Sequence, residues 1–241
     1  MRTQEIKRPQ IIFEDKYLLI IDKPSGLVIN DSINSGESLQ SWLKENFNYK
    51  ISKNDDLRSG IVHRLDKPTS GIVIVAKDED SFFALQNQFA KRQTKKTYKA
   101  LVHGKVKDQT KIIDAPIGRN PENRTHFSVI QGGRDAVTQI ASIDKIFTKN
   151  KEFYSLLTLN PKTGRTHQLR VHLKHIGNPI VSDHLYAGRK TFKKDIAWCP
   201  RLFLHAAAIT FSHPFSNEIK SFSSNLPSDL EKALLTLESV N

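Results

Sequence analysis

Five consecutive residues, Ile72-Val73-Ile74-Val75-Ala76, set the terms for this fold. The run is short, rich in β-branched side chains and bounded by charge, so it predicts a buried strand. A stiff loop feeds it: His63-Arg64-Leu65-Asp66-Lys67-Pro68-Thr69-Ser70-Gly71, which starts after Ile61-Val62. Pro68 fixes its own φ and pushes Lys67 toward an extended conformation. Gly71 can take dihedrals closed to other residues. Thr69 and Ser70 offer hydroxyls that can fold back on the loop. Asp66 opens this stiffened segment, two residues after Arg64. The expectation is a carboxylate held rigidly at the mouth of a cleft, next to positive charge. Taken alone, an Asp ahead of a Pro-Thr-Ser-Gly run more often makes a plain turn, satisfied by its own backbone.

Strand patterns recur along the chain. Ile11–Phe13 and Leu18–Ile21 flank a tight Glu14–Tyr17 turn, and the entry ends at Lys23-Pro24-Ser25-Gly26. Lys95 to His103 alternates, with Tyr98, Ala100 and Val102 on one face. Ala136–Phe147 and Phe153–Leu159 read as strands around a Lys149–Lys151 turn, and Leu202–Phe211 as another. Helical spacing is fainter. Leu39, Trp42, Leu43 and Phe47 mark one helix that Ser38 can cap, and Phe82, Leu85 and Phe89 mark a second over 81–92. Leu169, Leu173 and Ile176 mark a third, with Thr166 as candidate N-cap and Gly177 as terminator. Leu230, Leu234 and Leu237 suggest a last one. Residues 105–135 are rich in Lys, Arg, Asn, Pro and Gly, an irregular excursion with a short strand near Ile112-Ile113. Strands outnumber helices and sit in neighbouring runs. The class is therefore α+β with a mostly antiparallel sheet.

Charge narrows the partners. The 241 residues carry 37 Lys+Arg against 25 Asp+Glu, a net charge of +12. Such a surplus favours a polyanion, nucleic acid first and an anionic membrane second, over a merely soluble basic protein. The single cysteine, Cys199, excludes an internal disulfide and a cysteine zinc cluster. No signal-peptide core or run of roughly 18 apolar residues is present, so a cytoplasmic protein off the membrane is expected. His167, His172 and His175 cluster, yet no carboxylate completes a zinc spacing. Gly132-Gly133 lacks the strand-to-helix setting of a phosphate loop.

The loop His63–Gly71 resembles the central motif of the RluA-type RNA pseudouridine synthases. Four further stretches resemble that family in its own order: Asp22–Leu27, Lys96–Val102, Thr163–Leu173, and Leu204-His205-Ala206 with His213-Pro214. The likeness spans roughly residues 11–222. One departure stands out, Ser182-Asp183 where the family usually has Gly-Asp. The resemblance implies a single catalytic domain over 11–241, built on a large, bent, mostly antiparallel sheet flanked by helices around a central active-site cleft. Residues 1–10 are expected to be an N-terminal extension, with no separate N-terminal RNA-binding domain.

The activity it implies is isomerisation of uridine in RNA to pseudouridine, with no cofactor and no metal. Asp66 matches the family's catalytic Asp. Arg170 matches its active-site arginine, which pairs with that Asp; a guanidinium there would keep Asp66 ionised as the cleft dries. Tyr98 corresponds to its active-site tyrosine, able to stack on an extruded base. Arg64 resembles the residue that family members push into the RNA at the flipped nucleotide. Arg165 suits a phosphate contact or a plain turn-flanking charge. Lysines around the Tyr98 strand, with Arg119 and Arg124, would hold phosphates. The partner is ribosomal RNA, which Ile113–Arg119 favours by its likeness to the large-subunit branch, or tRNA, bound by a monomer. The competing reading is a non-catalytic RNA-binding protein on the same scaffold. A carboxylate hydrolase lacks a second catalytic carboxylate.

Overall fold

In the computed structural model the β-branched run is the middle of strand β3 (Ser70–Ala76), and all seven of its residues are buried. The model describes residues 8–31, 36–107 and 111–240. Most of the expected N-terminal extension, residues 1–7, lies outside them. The described residues group into two compact units, 8–96 with 206–225 and 97–205 with 226–240.

In the first unit β1 (Gln10–Glu14) runs antiparallel to β2 (Leu18–Lys23), which runs antiparallel to β3. Asp15 makes the β1–β2 turn, its Oδ1 accepting the Tyr17 and Leu18 amides at 2.7 and 2.9 Å. Helix α1 (Leu39–Asn46) begins at Ser38 in a reciprocal cap with Ser41, as the spacing predicts. Helix α2 (Glu79–Ala90) starts two residues before the expected 81, because Asp78 accepts the Ser81 amide at 2.8 Å. Its Phe82 and Leu85 join Ile72, Ile74 and Ala76 of β3 in one apolar core. Each such side chain removed from water contributes about 1.5–3 kcal/mol. β10 (Leu204–Ser212) is β3's neighbour and pairs antiparallel with β11 (Ile219–Ser223), a strand the sequence pattern did not announce.

The second unit is built on β4 (Lys95–His103), β8 (Val137–Lys149) and β9 (Glu152–Pro161), in the order β4-β9-β8 and all antiparallel. β5 (Ile112–Asp114) and β12 (Glu238–Ser239) also pair with β8. The polar excursion is more ordered than expected: β6 (Ile117–Arg119) and β7 (Phe127–Val129) form a separate hairpin. Three helices complete the unit: α3 (Gln168–His175), α4 (Arg189–Asp195) and α5 (Ser228–Leu235). Leu169 and Leu173 of α3 and Leu230 and Ala233 of α5 pack with Ala100, Leu101 and Val102 of β4. The fold is thus α+β with a mostly antiparallel sheet, as expected. Among the described residues no helix is long and apolar enough to cross a membrane.

Gly71 shows how tightly the start of β3 is built. Its φ is +116°, and a Cβ there would lie 2.3 Å from the Ala206 carbonyl oxygen, which is backbone and cannot swing away. Gly71→Ala is expected to cost about 3 kcal/mol from overpacking and backbone strain together. A lowered urea midpoint at unchanged slope would register it.

Candidate active site

The first unit supplies Arg64 and Asp66. Their loop is pinned at both ends. At its start His63 Nε2 accepts the Ile74 amide of β3 at 3.0 Å, and the ring stacks on Phe89 at 4.7 Å. The next residues alternate as an extended chain must: Arg64 exposed, Leu65 buried, Asp66 half-buried. The Asp66 carbonyl then accepts the Thr69 amide at 3.0 Å, closing a turn over Lys67-Pro68.

That turn is gripped by the Lys23–Gly26 stretch, again within the first unit. The Lys67 carbonyl accepts the Gly26 amide at 2.8 Å, and the Pro68 carbonyl accepts Ser25 Oγ at 2.8 Å. Lys23, fully buried, donates Nζ to the carbonyls of Pro24 at 2.8 Å, Leu27 at 2.9 Å and Lys67 at 3.4 Å. A buried ammonium is tolerated when carbonyl dipoles replace its water. These bonds reach backbone atoms, so they fix where the Asp66 carboxylate emerges without using the carboxylate.

Burial, reinforced by the nearby charge of Lys96, pushes the His63 imidazole down to about 3. The folded chain therefore holds this ring neutral, while the unfolded chain protonates it below about 6.5. The sign follows: stability is full above about pH 6.5 and falls as pH drops toward 3. Burial lowers His172 in the same direction, its Nδ1 and Nε2 being engaged by Thr138 Oγ1 and the Ala115 carbonyl. Unfolding free energy is expected to be about 2 kcal/mol lower at pH 5 than at pH 7 from His63 alone. His63→Gln, with an acceptor and no titrating proton, should flatten the urea-midpoint profile; an unchanged slope would contradict this.

The second unit supplies Tyr98, Arg165 and Arg170. Tyr98 sits on β4 opposite Leu159 of β9, half-buried against the unit's core. Arg165 lies just before α3 and donates Nε to the Asp135 carbonyl at 2.9 Å. The expected N-cap, Thr166, is not one: α3 begins after His167, whose φ of 55° is left-handed and whose side chain caps nothing. Gln168 does the anchoring instead. Its Oε1 accepts the Arg165 amide at 3.0 Å and Thr163 Oγ1 at 2.6 Å, and its Nε2 donates to Val137 O and Thr138 Oγ1, both at 3.0 Å. At the other end Gly177, with φ 82°, terminates the helix as expected.

Arg170 points inward and is 1% exposed. Its Nε and Nη2 donate to the two oxygens of Asp183 at 2.8 and 2.7 Å, a bidentate buried pair. Asp183 Oδ1 also accepts the Leu185 and Tyr186 amides at 3.0 and 3.2 Å. The Tyr186 ring lies 5.0 Å from the guanidinium, while its hydroxyl meets His167 Nδ1 at 2.9 Å and accepts the Phe127 amide at 3.1 Å. Arg170 is thereby referenced to β7 as well as to its own helix.

Asp183 and Tyr186, which hold Arg170, are not among the residues the motifs single out for the site. The signal was present in the Ser182-Asp183 departure. Ser182 has φ 57°, a conformation that favours glycine. Serine is held there because its amide donates to Asp195 Oδ2 at 2.9 Å and its Oγ to the Cys199 carbonyl at 2.6 Å. The substitution keeps the turn and leaves Asp183 in place to orient Arg170. Among the described residues no cluster of three His, Cys, Asp or Glu could hold a metal ion.

Comparison with known proteins converges on one group. The family model for RNA pseudouridylate synthase matches residues 17–175. The ribosomal large subunit pseudouridine synthase D of Nitrosomonas europaea is 39% identical over 235 residues, which is 96% of this chain and 66% of that protein. An uncharacterized RNA pseudouridine synthase of Bacillus subtilis, YlyB, is 34% identical over 94% of this chain and 72% of its own length. The solved structure of human RNA pseudouridylate synthase domain containing 1 superposes with a TM-score of 0.74 at 25% identity, covering 100% of this chain and 92% of that one.

Proposed function

This chain belongs to the RNA pseudouridylate synthase family, and from that premise we propose that it isomerises uridine to pseudouridine in structured RNA. The observation that carries the reading is the Asp66 loop, whose carbonyls are gripped by Lys23, Ser25 and Gly26. Such a loop presents one carboxylate at a fixed point. The C1′–N1 bond breaks, the uracil turns, and a C1′–C5 bond forms; the proton leaving C5 is balanced by one gained at N1. Asp66 serves either as nucleophile or as the base that moves a proton.

The other residues take supporting roles in this proposal. Arg170, oriented by Asp183, binds the target uridine or its RNA. Tyr98 stacks on the extruded base, Arg64 enters the RNA where the base has left, and Arg165 meets a phosphate. Residues 11–241 form the catalytic domain, acting as a monomer in the cytoplasm without a cofactor. The name of the Nitrosomonas relative favours large-subunit ribosomal RNA as substrate over tRNA.

The test is to incubate the purified chain with deproteinised ribosomal RNA and with tRNA, then map pseudouridine. New sites in the large-subunit RNA are expected. Binding without turnover on every cellular RNA would favour the non-catalytic alternative.

A further inference from the structure

We infer that the second unit carries another RNA-backbone contact, at the end of its sheet remote from Tyr98, and that this contact selects long RNA over an oligonucleotide too short to reach it. The inference rests on the proposed activity for its meaning and on separate residues for its evidence.

Distance comes first. Tyr98 pairs with Leu159, and His103 pairs with Tyr154, at the opposite end of the same β4–β9 ladder. Strand rise puts those ends about 17 Å apart. Beyond Tyr154 the chain makes a tight turn, with Asn150 and Lys151 at φ 51° and 65°.

Cations and rings crowd this end. Phe153 is 38% exposed, and Lys105 Nζ lies 4.0 Å from its ring centroid. Lys149 Nζ lies 5.6 Å from the Trp198 ring, which packs edge-on against Tyr154 at 5.4 Å. Lys194 meets Glu152 at 3.1 Å, which brings α4 to the same place with its exposed neighbour Lys193. The carboxylates here do not balance these charges. Asp195 is buried and accepts from the Ser182 amide beside His103, leaving Glu152, and Glu238 opposite Thr148 on β8.

The chemistry fits nucleic acid. Clustered lysines can hold phosphates, and the rings beneath Lys105 and Lys149 fix where those ammoniums stand. A membrane surface fits less well, because the Lys105 ammonium sits over the exposed Phe153 ring; Ile196 and Leu235 are also exposed in this unit, so anionic vesicles are an arm of the test. An RNA touching both Tyr98 and this end must reach about 17 Å from the target uridine, or about five stacked nucleotides.

The experiment uses the full chain and the triple variant Lys151→Gln, Lys193→Gln, Lys194→Gln, all three exposed and outside the catalytic set. The probes are full-length deproteinised large-subunit ribosomal RNA and a pentanucleotide centred on its mapped target uridine, too short to reach the remote end. On full-length RNA the triple variant is expected to bind about tenfold more weakly at physiological salt, with a log–log salt slope shallower by about two. Its kcat and its binding of the pentanucleotide should be unchanged, and the matching Lys→Arg triple should restore affinity. Equal binding of full-length RNA by wild type and variant overturns the inference. So does an equal loss on both RNAs, or a loss confined to phosphatidylglycerol vesicles. If wild type forms no pseudouridine at all, the proposed activity fails; filter binding of the same full-length RNA still decides the contact.

Discussion

Asp66→Asn is expected to leave folding and RNA affinity near wild type and to remove pseudouridine formation, by at least about 10³-fold. The substitution separates two roles with one change. At the first position of a turn Asn is as good as Asp, because either can satisfy the local backbone. If Asp66 were only a turn residue, the variant would be silent. The anchoring also predicts a folded variant: the Asp66 carbonyl closes the turn to Thr69, and Lys23, Ser25 and Gly26 grip the carbonyls of residues 67 and 68. None of these bonds uses the Asp66 side chain. Thermal unfolding and filter binding would check the first half, and pseudouridine mapping the second. A variant with wild-type turnover would remove Asp66 from the chemistry; a variant that fails to fold would show that its carboxylate holds the loop.

What could be foreseen depended on whether a pattern was local. β4 was legible from end to end because its alternation starts at Lys95 and Gly104 stops it, although Leu101 interrupts the pattern and Ala100, Leu101 and Val102 are all buried. α1 was legible from the Ser38 cap and the Leu39, Trp42, Leu43 face. α4 was not: Arg-Lys-Thr-Phe-Lys-Lys-Asp has no apolar stripe, and its place is secured by Asp195 reaching His103 and Ser182. The β6–β7 hairpin was hidden for a related reason. Its polar sequence reads as loop, while one of its amides, at Phe127, is satisfied by a tyrosine hydroxyl 59 residues away. Thr166 looked like a cap by residue type, yet Gln168 ties the helix start through its side-chain amide. No residue preference at the cap position reports such a long-range bond.

The same distinction governs the site. Residues inside contiguous motifs, Asp66, Arg64, Tyr98, Arg165 and Arg170, can be proposed from sequence. Their supports could not, because a buried partner is defined by three-dimensional contact rather than by spacing. Lys23 was visible as a motif letter, but its staple across Pro24, Leu27 and Lys67 was not. Asp183 was visible only as the second half of a departure from the family pattern.

Asp183 therefore carries the second large effect. Asp183→Ala is expected to destabilise the chain by about 3–5 kcal/mol, because it removes a bidentate partner from a guanidinium that is 1% exposed. It also strips the acceptor from the Leu185 and Tyr186 amides. A loss that large can unfold the protein, so Asp183→Asn is the informative companion. Its remaining carbonyl can still take the two amides and one Arg170 N–H, while its NH₂ group turns a donor toward the other guanidinium N–H. That variant should fold with a smaller loss of stability. Its kcat should fall by about 10²-fold with little change in KM, since a misdirected Arg170 affects the placing of the target uridine more than RNA binding as a whole. A wild-type kcat in folded Asp183→Asn would show that Arg170 takes its orientation from α3 alone. Then the serine at position 182, strained at φ 57°, would have no role in delivering the carboxylate beside it.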